Sequence, residues 1–168
     1  MLLSLRTAKR TRPTGCLILR RGFARKRTAL AEVAFGKFEI VKSDEEWRRE
    51  LTSEQYAVLR RRETERPWIS PLNKEHRPGT YLCAGCGLPL FSSNTKFESG
   101  TGWPSFWAPI DGAIKTSEDR SFLFLVRTEA QCSRCGGHLG HVFNDGPRPT
   151  GLRYCMNGIA LKFRPENA

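Results

Sequence analysis

The sequence is poor in histidine, in long apolar runs and, over its first 37 residues, in acidic side chains. It has three histidines among 168 residues. No apolar run approaches the roughly 18 residues that a membrane-spanning helix needs, so we expect a soluble protein with no membrane partner. The length allows one domain with a hydrophobic core and is too short for two ordinary domains.

Acidic residues are almost absent from residues 1–37, which carry ten Lys and Arg against the single acid Glu32. This segment accounts for most of the formal net charge of +11, because residues 38–168 hold eighteen basic and sixteen acidic residues. A nearly neutral domain lacks the basic stripe that tracks a phosphate backbone. We therefore expect no nucleic-acid partner.

The segment 1–37 is rich in Arg with scattered Thr, a composition typical of an organellar transit peptide. The alternatives are a bacterial export signal around Arg20 and Arg21, a wrongly assigned upstream start codon, and a disordered extension without a targeting role. Export is disfavoured because Glu32 interrupts the apolar stretch TALAEVAFG. We expect a mitochondrial or other organellar location if the segment is a transit peptide, and a cytoplasmic one otherwise.

Capping and turn signals predict a mainly β domain over residues 38–168, with short helices at its N-terminal side. SDEE at 43–46 and TSEQ at 52–55 fit capping boxes, which predict helices at about 44–51 and 53–62. Short connections indicate antiparallel pairing. The helices should bury Trp47, Leu51, Tyr56 and Leu59, and the candidate strands are 79–83, 88–92, 106–109, 121–127, 140–143 and 152–163.

Four cysteines form two C-x-x-C pairs. YLCAGCG contains Cys83 and Cys86, and QCSRCGG contains Cys132 and Cys135. Two intervening residues let both thiolates of a pair point at one ion, and the glycine that follows permits a tight turn. Together the pairs supply four tetrahedral thiolates, which favours one structural Zn²⁺ per chain. Redox-active C-x-x-C motifs and two disulfides are the alternatives.

Cys155 stands alone in LRYCMNGIAL, which has the pattern of a strand. Side chains alternate along a strand, so Arg153 and Asn157 should share the face of Cys155. A guanidinium on that face stabilises a thiolate and lowers the pKa of the cysteine. The pattern suits a nucleophile, although an inert buried thiol is the usual state of a strand cysteine.

Two of the three histidines, His138 and His141, lie in CGGHLGHVFNDGP, with Asp145 close behind. Imidazoles can pass a proton to a developing oxyanion near neutral pH, and a nearby carboxylate can orient them. Metal ligation or plain surface polarity are the alternatives. Since four thiolates already saturate a zinc ion, we expect catalytic use.

Aromatic residues are concentrated in FESGTGWPSFW at 97–107, where Trp103, Phe106 and Trp107 surround a Gly-x-Gly turn and Pro104. Core packing is the common fate of such rings. Rings held by a rigid loop can also form an apolar cage for a methyl or thioether group. The residues leave both interpretations open.

These motifs together resemble the methionine-(R)-sulfoxide reductases, the MsrB family. The resemblance covers about residues 38–165 and rests on four stretches in order: SPLNKEHRPGTYLCAGCG, SGTGWPSF, CSRCGGHLGHVFNDGP and GLRYCMNGIALKF. It implies two small antiparallel sheets with N-terminal helices, stapled by a zinc site of four cysteines. It also implies a monomeric enzyme of protein repair under oxidative stress that acts on oxidised methionine in proteins or peptides.

By position, Cys155 resembles the family's nucleophile, which attacks the sulfoxide sulfur and becomes a sulfenic acid. His138 and His141 resemble its acid and substrate-orienting histidines. The resemblance places Asp145, Arg153 and Asn157 in the supporting polar network and Trp103, with Phe106, at the substrate methyl group.

One position departs from the common family pattern, because Thr101 stands where many members have a second, resolving cysteine. Threonine cannot form a disulfide, and the other thiol outside the paired cysteines is Cys16 in the basic segment. We therefore expect an external thiol to reduce the sulfenic acid on Cys155, with thioredoxin, glutaredoxin or glutathione as candidates.

Two hypotheses from other classes compete with a reductase. A zinc-stapled interaction module would have no need of a thiol near the histidines. A Cys-His protease would require an oxyanion hole for acyl chemistry, and nothing in LRYCMNG indicates one.

Overall fold

The structure of the protein, a computed structural model, describes residues 38–122 and 125–167. The hypotheses about residues 1–37, including the role of Cys16, lie outside the described residues. Of the helices in the part of the chain that is described, none has the length and apolar character needed to cross a membrane.

Two short α-helices open the described chain, α1 at Asp44–Glu50 and α2 at Ser53–Arg61. Both predicted capping boxes are present, with Ser43 paired to Glu46 and Thr52 paired to Gln55 through reciprocal hydrogen bonds. Such caps satisfy N–H groups that the first helical turn leaves unpaired. The predicted inner faces are confirmed, since these side chains are all buried: Trp47, Leu51, Tyr56 and Leu59.

The strands form two antiparallel sheets, which confirms the predicted mainly β class. In the three-stranded sheet the order is β2-β1-β9, and in the six-stranded sheet it is β3-β4-β8-β7-β6-β5. The strands are β1 Gly79–Cys83, β2 Pro89–Ser92, β3 Lys96–Phe97, β4 Ser105–Phe106, β5 Ile114–Phe122, β6 Leu125–Cys132, β7 His138–Phe143, β8 Arg153–Met156 and β9 Leu161–Pro165. Short 3₁₀ helices lie at Pro71–Lys74, Ser93–Thr95 and Gly158–Ala160.

Three predicted strands are wrong in extent. The apolar stretch 121–127 is divided between two paired strands, because β5 ends at Phe122 and β6 begins at Leu125. The polar residues of β5 lack the alternation from which the strand could have been predicted.

The stretch 152–163 is likewise divided, into β8, a 3₁₀ turn and β9, with the two strands in different sheets. The break has a packing cause, since a Cβ on Gly158 would lie 1.9 Å from the Ser70 Oγ. The predicted strand 106–109 is also wrong in extent, because β4 covers Ser105–Phe106 and shares only Phe106 with the prediction.

Both sheets contribute to one hydrophobic core. The rings of Phe91 and Phe106 stack with centroids 4.2 Å apart, and Tyr81 meets Phe106 edge-on at 4.8 Å. Offset and edge-on ring pairs of this kind stabilise beyond the area they bury. The core thereby joins β1 and β2 to β4 and holds the second sheet in place.

Candidate active site and metal site

Cys155 lies in β8 at the centre of the six-stranded sheet. It pairs directly with Ser105 of β4 on one side and with His141 of β7 on the other. Directly opposed residues in antiparallel strands present their side chains on the same face. Cys155 faces a cavity of about 120 Å³ lined by Thr64, Trp103, Arg127, Gly140, His141, Phe143, Cys155 and Asn157.

The Cys155 thiol is surrounded by hydroxyl groups. Its Sγ lies 3.8 Å from the Thr101 Oγ1, and the Ser99 Oγ lies 2.8 Å from both the Thr101 Oγ1 and the Ser105 Oγ. Burial raises the pKa of Cys155, while hydrogen bonds from Thr101 and Ser105 and the charge of Arg153 lower it. The sequence expectation of a lowered pKa is therefore corrected, because burial outweighs the guanidinium.

Asp145 binds Arg153 and neither histidine. The carboxylate accepts two hydrogen bonds of 2.8 Å from the Arg153 guanidinium, which also lies over the Phe143 ring at 4.4 Å from its centroid. This bidentate pairing lowers the pKa of Asp145. Asp145 thus orients the cation beside Cys155, and the expectation that it orients an imidazole is wrong.

Each histidine instead has a carboxylate partner from the neighbouring hairpin. The His138 Nδ1 lies 2.7 Å from the Glu129 Oε1, and the His141 Nε2 lies 2.7 Å from the Asp119 Oδ2. The two imidazole rings meet edge-on with centroids 5.3 Å apart. Arg127 also binds the Asp119 Oδ2, at 2.7 Å.

The three charged residues of this hairpin were missed by the sequence reasoning. Arg127 and Glu129 are two positions apart in β6 and therefore share a face. That spacing would have been informative had 125–132 been recognised as a strand beside the one that carries the histidines. Asp119 offers no comparable local signal, since it reaches His141 only through the pairing of β5 with β6.

The pKa shifts have different causes in the two histidine–carboxylate pairs. Burial lowers the pKa of His141, and the charges of Arg127 and His138 lower it further, against the opposing effect of Asp119. Burial raises the pKa of Glu129. The hydrogen bond with His138, the charge of His138 and the charge of Arg62 lower it by more, so the pKa of Glu129 lies below its ordinary value. An ionised carboxylate only accepts, so the His138 Nδ1 carries the proton.

This arrangement leaves the other nitrogen of His138 available. The His138 Nε2 is buried and has no hydrogen-bond partner among the described residues. A neutral imidazole with its proton held on Nδ1 has a lone pair on Nε2. Of the two histidines, His141 lines the cavity that contains Cys155, whereas His138 is buried and is not among the lining residues.

Glu65 joins two cavity residues through its main chain. Its N–H donates to the Asn157 Oδ1 at 3.0 Å, and its carbonyl accepts from the Trp103 Nε1 at 3.1 Å. Its carboxylate accepts from the backbone N–H groups of Gly158, at 2.6 Å, and Ile159, at 2.9 Å. Burial raises the pKa of Glu65 against these hydrogen bonds. No motif in the sequence indicated this residue.

The two aromatic candidates have different positions. Trp103 lines the cavity that contains Cys155. Phe106 is fully buried in the core, where it stacks on Phe91. Because the Phe106 ring is fully enclosed, it has no surface left to contact a substrate. The expectation that Phe106 contacts substrate is therefore corrected, and its role is to pack the two sheets together.

The paired cysteines meet at one point between the sheets. All four sulfurs lie within 4.8 Å of one another, with 3.7 Å between those of Cys83 and Cys135 and 3.5 Å between those of Cys86 and Cys132. A tetrahedral ion with bonds of about 2.3 Å to sulfur needs separations of about 3.8 Å. The cluster can therefore hold a metal ion, and it would link the β1–β2 turn to the β6–β7 turn.

Comparison with known proteins agrees with this geometry. The SelR domain model matches residues 51–165. The peptide methionine sulfoxide reductase MsrB of Leptospira interrogans is 58% identical over 130 residues, covering 77% of this chain and 98% of that protein. The enzyme of the same name from Leifsonia xyli is 58% identical over 134 residues, 79% of this chain and 96% of its own. That from Bradyrhizobium diazoefficiens is 54% identical over 129 residues, 76% of this chain and 92% of its own. With the family model covering more than half of the chain, this protein belongs to the MsrB family of methionine sulfoxide reductases, and it is an oxidoreductase.

Proposed function

We propose that this protein reduces the R epimer of methionine sulfoxide in peptides and proteins, with Cys155 as the nucleophile. The observation that carries this proposal is the position of Cys155, opposite His141 and facing a cavity walled by Trp103 and Asn157. It is also the one described cysteine outside the four-cysteine cluster. The preference for the R epimer rests on the family resemblance.

In the first step the Cys155 sulfur attacks the sulfoxide sulfur, and an imidazolium gives a proton to the sulfoxide oxygen. The oxygen then passes to the cysteine sulfur, which yields methionine and a sulfenic acid on Cys155. The substrate sulfur gains two electrons and the cysteine sulfur loses two. The proton that leaves the Cys155 thiol replaces the one that the imidazolium gave to the sulfoxide oxygen, so the step has no net release of protons.

The neighbours of Cys155 have separate tasks in this step. His141 is the proposed acid, because it lines the cavity and Asp119 holds its ring. Trp103 offers an apolar ring to the substrate methyl group. Arg153 stabilises the thiolate that burial disfavours, and Asp145 keeps the guanidinium in place.

Regeneration uses an external thiol. The sulfenic acid and a first thiol condense to a mixed disulfide and water, and a second thiol then releases Cys155 as a thiol. A hydroxyl cannot substitute for the first thiol, and the side chain beside Cys155 is that of Thr101. Thioredoxin, glutaredoxin and glutathione have the required dithiol or thiol chemistry.

Zn²⁺ is the proposed ion of the four-cysteine cluster, because four thiolates suit it and close its coordination sphere. Its role is structural, linking two turns that belong to different sheets. We further propose that residues 38–168 form the catalytic domain and that residues 1–37 are an extension outside it. The match of the family model to residues 51–165 supports this division.

The test is reduction of a peptide containing methionine sulfoxide, with dithiothreitol as reductant and with R and S substrates assayed separately. Cys155→Ser should abolish reduction of the R substrate. Cys16→Ser is the matched control and should retain wild-type turnover. Unchanged turnover in Cys155→Ser, or equal rates for both epimers, would contradict the proposal.

A further inference from the structure

A second and larger cavity lies beside the catalytic cavity, which is the one that contains Cys155. Its volume is about 340 Å³, and its lining is mainly apolar: Gln55, Glu65, Ile69, Ser70, Pro71, Leu72, Gly158, Ile159 and Leu161. The proposed chemistry uses none of these apolar side chains.

The two cavities share a wall. Thr64 lines the catalytic cavity and Glu65 lines the larger one, and the same is true of Asn157 and Gly158. The Cα atoms of consecutive residues are about 3.8 Å apart. A polypeptide that places one side chain in the catalytic cavity therefore has the reach to place a nearby side chain in its neighbour.

The catalytic cavity is the smaller of the two, with a volume of about 120 Å³ against about 340 Å³. We expect it to receive the methyl sulfoxide end of one side chain. The main chain of the substrate and its flanking residues would then lie outside, on the surface around the opening.

Apolar side chains are exposed on the segment that leads to the larger cavity. Trp68 is 66% exposed and Ile69 is 61% exposed. Trp68 has a φ of 71°, a left-handed conformation that is costly for a bulky residue. Packing in the core therefore does not explain why these two large apolar side chains are exposed, or why the backbone at Trp68 adopts a costly conformation.

This segment is attached to the loop that contains Thr101 and Trp103. The Trp68 N–H donates to the Gly102 carbonyl at 2.7 Å, and Gly102 lies between Thr101 and Trp103. A Cβ on Gly102 would lie 2.7 Å from the Pro67 Cβ and 3.0 Å from the Trp68 indole. The exposed pair is therefore held directly beside the residues that surround Cys155.

From the shared wall, the small catalytic cavity and the exposed pair, we infer that the larger cavity is a subsite for an apolar side chain of the polypeptide that flanks the oxidised methionine. Ile69 forms part of its wall. The inference rests on the proposed function, since it requires a peptide with its oxidised methionine in the catalytic cavity. It makes the residues around a methionine sulfoxide a determinant of which sites are repaired.

The experiment compares two oxidised peptides, one with glycine on both sides of the methionine sulfoxide and one with leucine in those positions. Dithiothreitol is the reductant, so that docking of a protein reductant does not enter. Wild-type protein should reduce the leucine peptide with kcat/KM about tenfold higher, because partial burial of one leucine is sufficient for that factor.

Ile69→Ser should bring this ratio close to one while kcat/KM for the glycine peptide stays unchanged, which also reports that the variant is folded. Val41→Ser is the matched control, since Val41 is 73% exposed and lines neither cavity. It should keep the wild-type ratio.

A wild-type ratio of one, or an unchanged ratio in Ile69→Ser, would overturn the inference. So would an Ile69→Ser variant that keeps the ratio and raises only the KM for thioredoxin, because the cavity would then dock the reductant. Failure of the proposed function is distinguishable, because the wild-type protein would then reduce neither peptide.

Discussion

Replacing Glu65 by glutamine should loosen the wall of the catalytic cavity. The Glu65 carboxylate accepts hydrogen bonds from two backbone N–H groups, at 2.6 Å from Gly158 and 2.9 Å from Ile159. In Glu65→Gln the side-chain amide would keep one acceptor and turn an NH₂ group toward the second N–H. The variant therefore loses one charge-assisted hydrogen bond and leaves one N–H without a partner.

The expected cost follows from these two changes. A hydrogen bond to a charged group contributes about 1.5–3 kcal/mol, and an unsatisfied buried donor costs about 1–3 kcal/mol. Because Glu65 is only half-buried, solvent recovers part of this. We expect Glu65→Gln to lower the free energy of unfolding by about 2 kcal/mol, measured by urea denaturation.

Activity should fall as well, because the main chain of Glu65 holds Asn157 and Trp103. A misplaced Trp103 ring would weaken its proposed contact with the substrate methyl group, so kcat/KM for an oxidised peptide should fall about tenfold, an effect of about 1.4 kcal/mol. Glu63→Gln, at an exposed neighbouring position, should change stability by less than about 0.5 kcal/mol. A wild-type urea midpoint and wild-type kcat/KM in Glu65→Gln would refute the reasoning.

Three further predictions address the Cys155 thiol, the four-cysteine cluster and His141. Thr101→Cys should form a disulfide with Cys155 after one turnover without reductant, because the Thr101 Oγ1 lies 3.8 Å from the Cys155 sulfur. Mass spectrometry would detect the disulfide as the loss of two hydrogens. Two free thiols at these positions would contradict the prediction. A chelator or Cys86→Ser should lower the melting temperature by well over 10 °C, because binding of a structural zinc ion contributes about 10–16 kcal/mol to the folding of isolated zinc-finger peptides. An unchanged calorimetric transition would argue against a bound ion. Asp119→Asn removes the carboxylate that raises the pKa of His141 against the effect of burial. The rate falls as pH rises through the pKa of this acid, so the fall should move to lower pH in the variant. A pH–rate profile that moves to higher pH would exclude His141 as the acid.

Features set by neighbours in the chain were predictable from the sequence. A capping box joins residues three positions apart, so Ser43 with Glu46 and Thr52 with Gln55 could be read directly, and both are present. The C-x-x-C pairs are equally local, and the cysteines they identify do cluster. The isolation of Cys155 is likewise visible in the sequence alone.

Features set by strand register were not predictable in the same way. The carboxylate partners of His138 and His141 come from β5 and β6, and only the pairing of those strands with β7 brings them within 2.7 Å. The break of 152–163 at Gly158 depends on contact with Ser70, far away in the chain. The burial of Phe106 depends on how two sheets meet.

The Cys155 thiol illustrates the division most directly. The sequence by itself determined that this cysteine lies apart from the two C-x-x-C pairs and has Arg153 two positions away. Only the tertiary structure decided the direction of its pKa, because burial is a property of the packed sheet and outweighs the guanidinium. Residue types and their local spacing determine which chemistry is available, whereas solvent exclusion and strand register determine which groups meet.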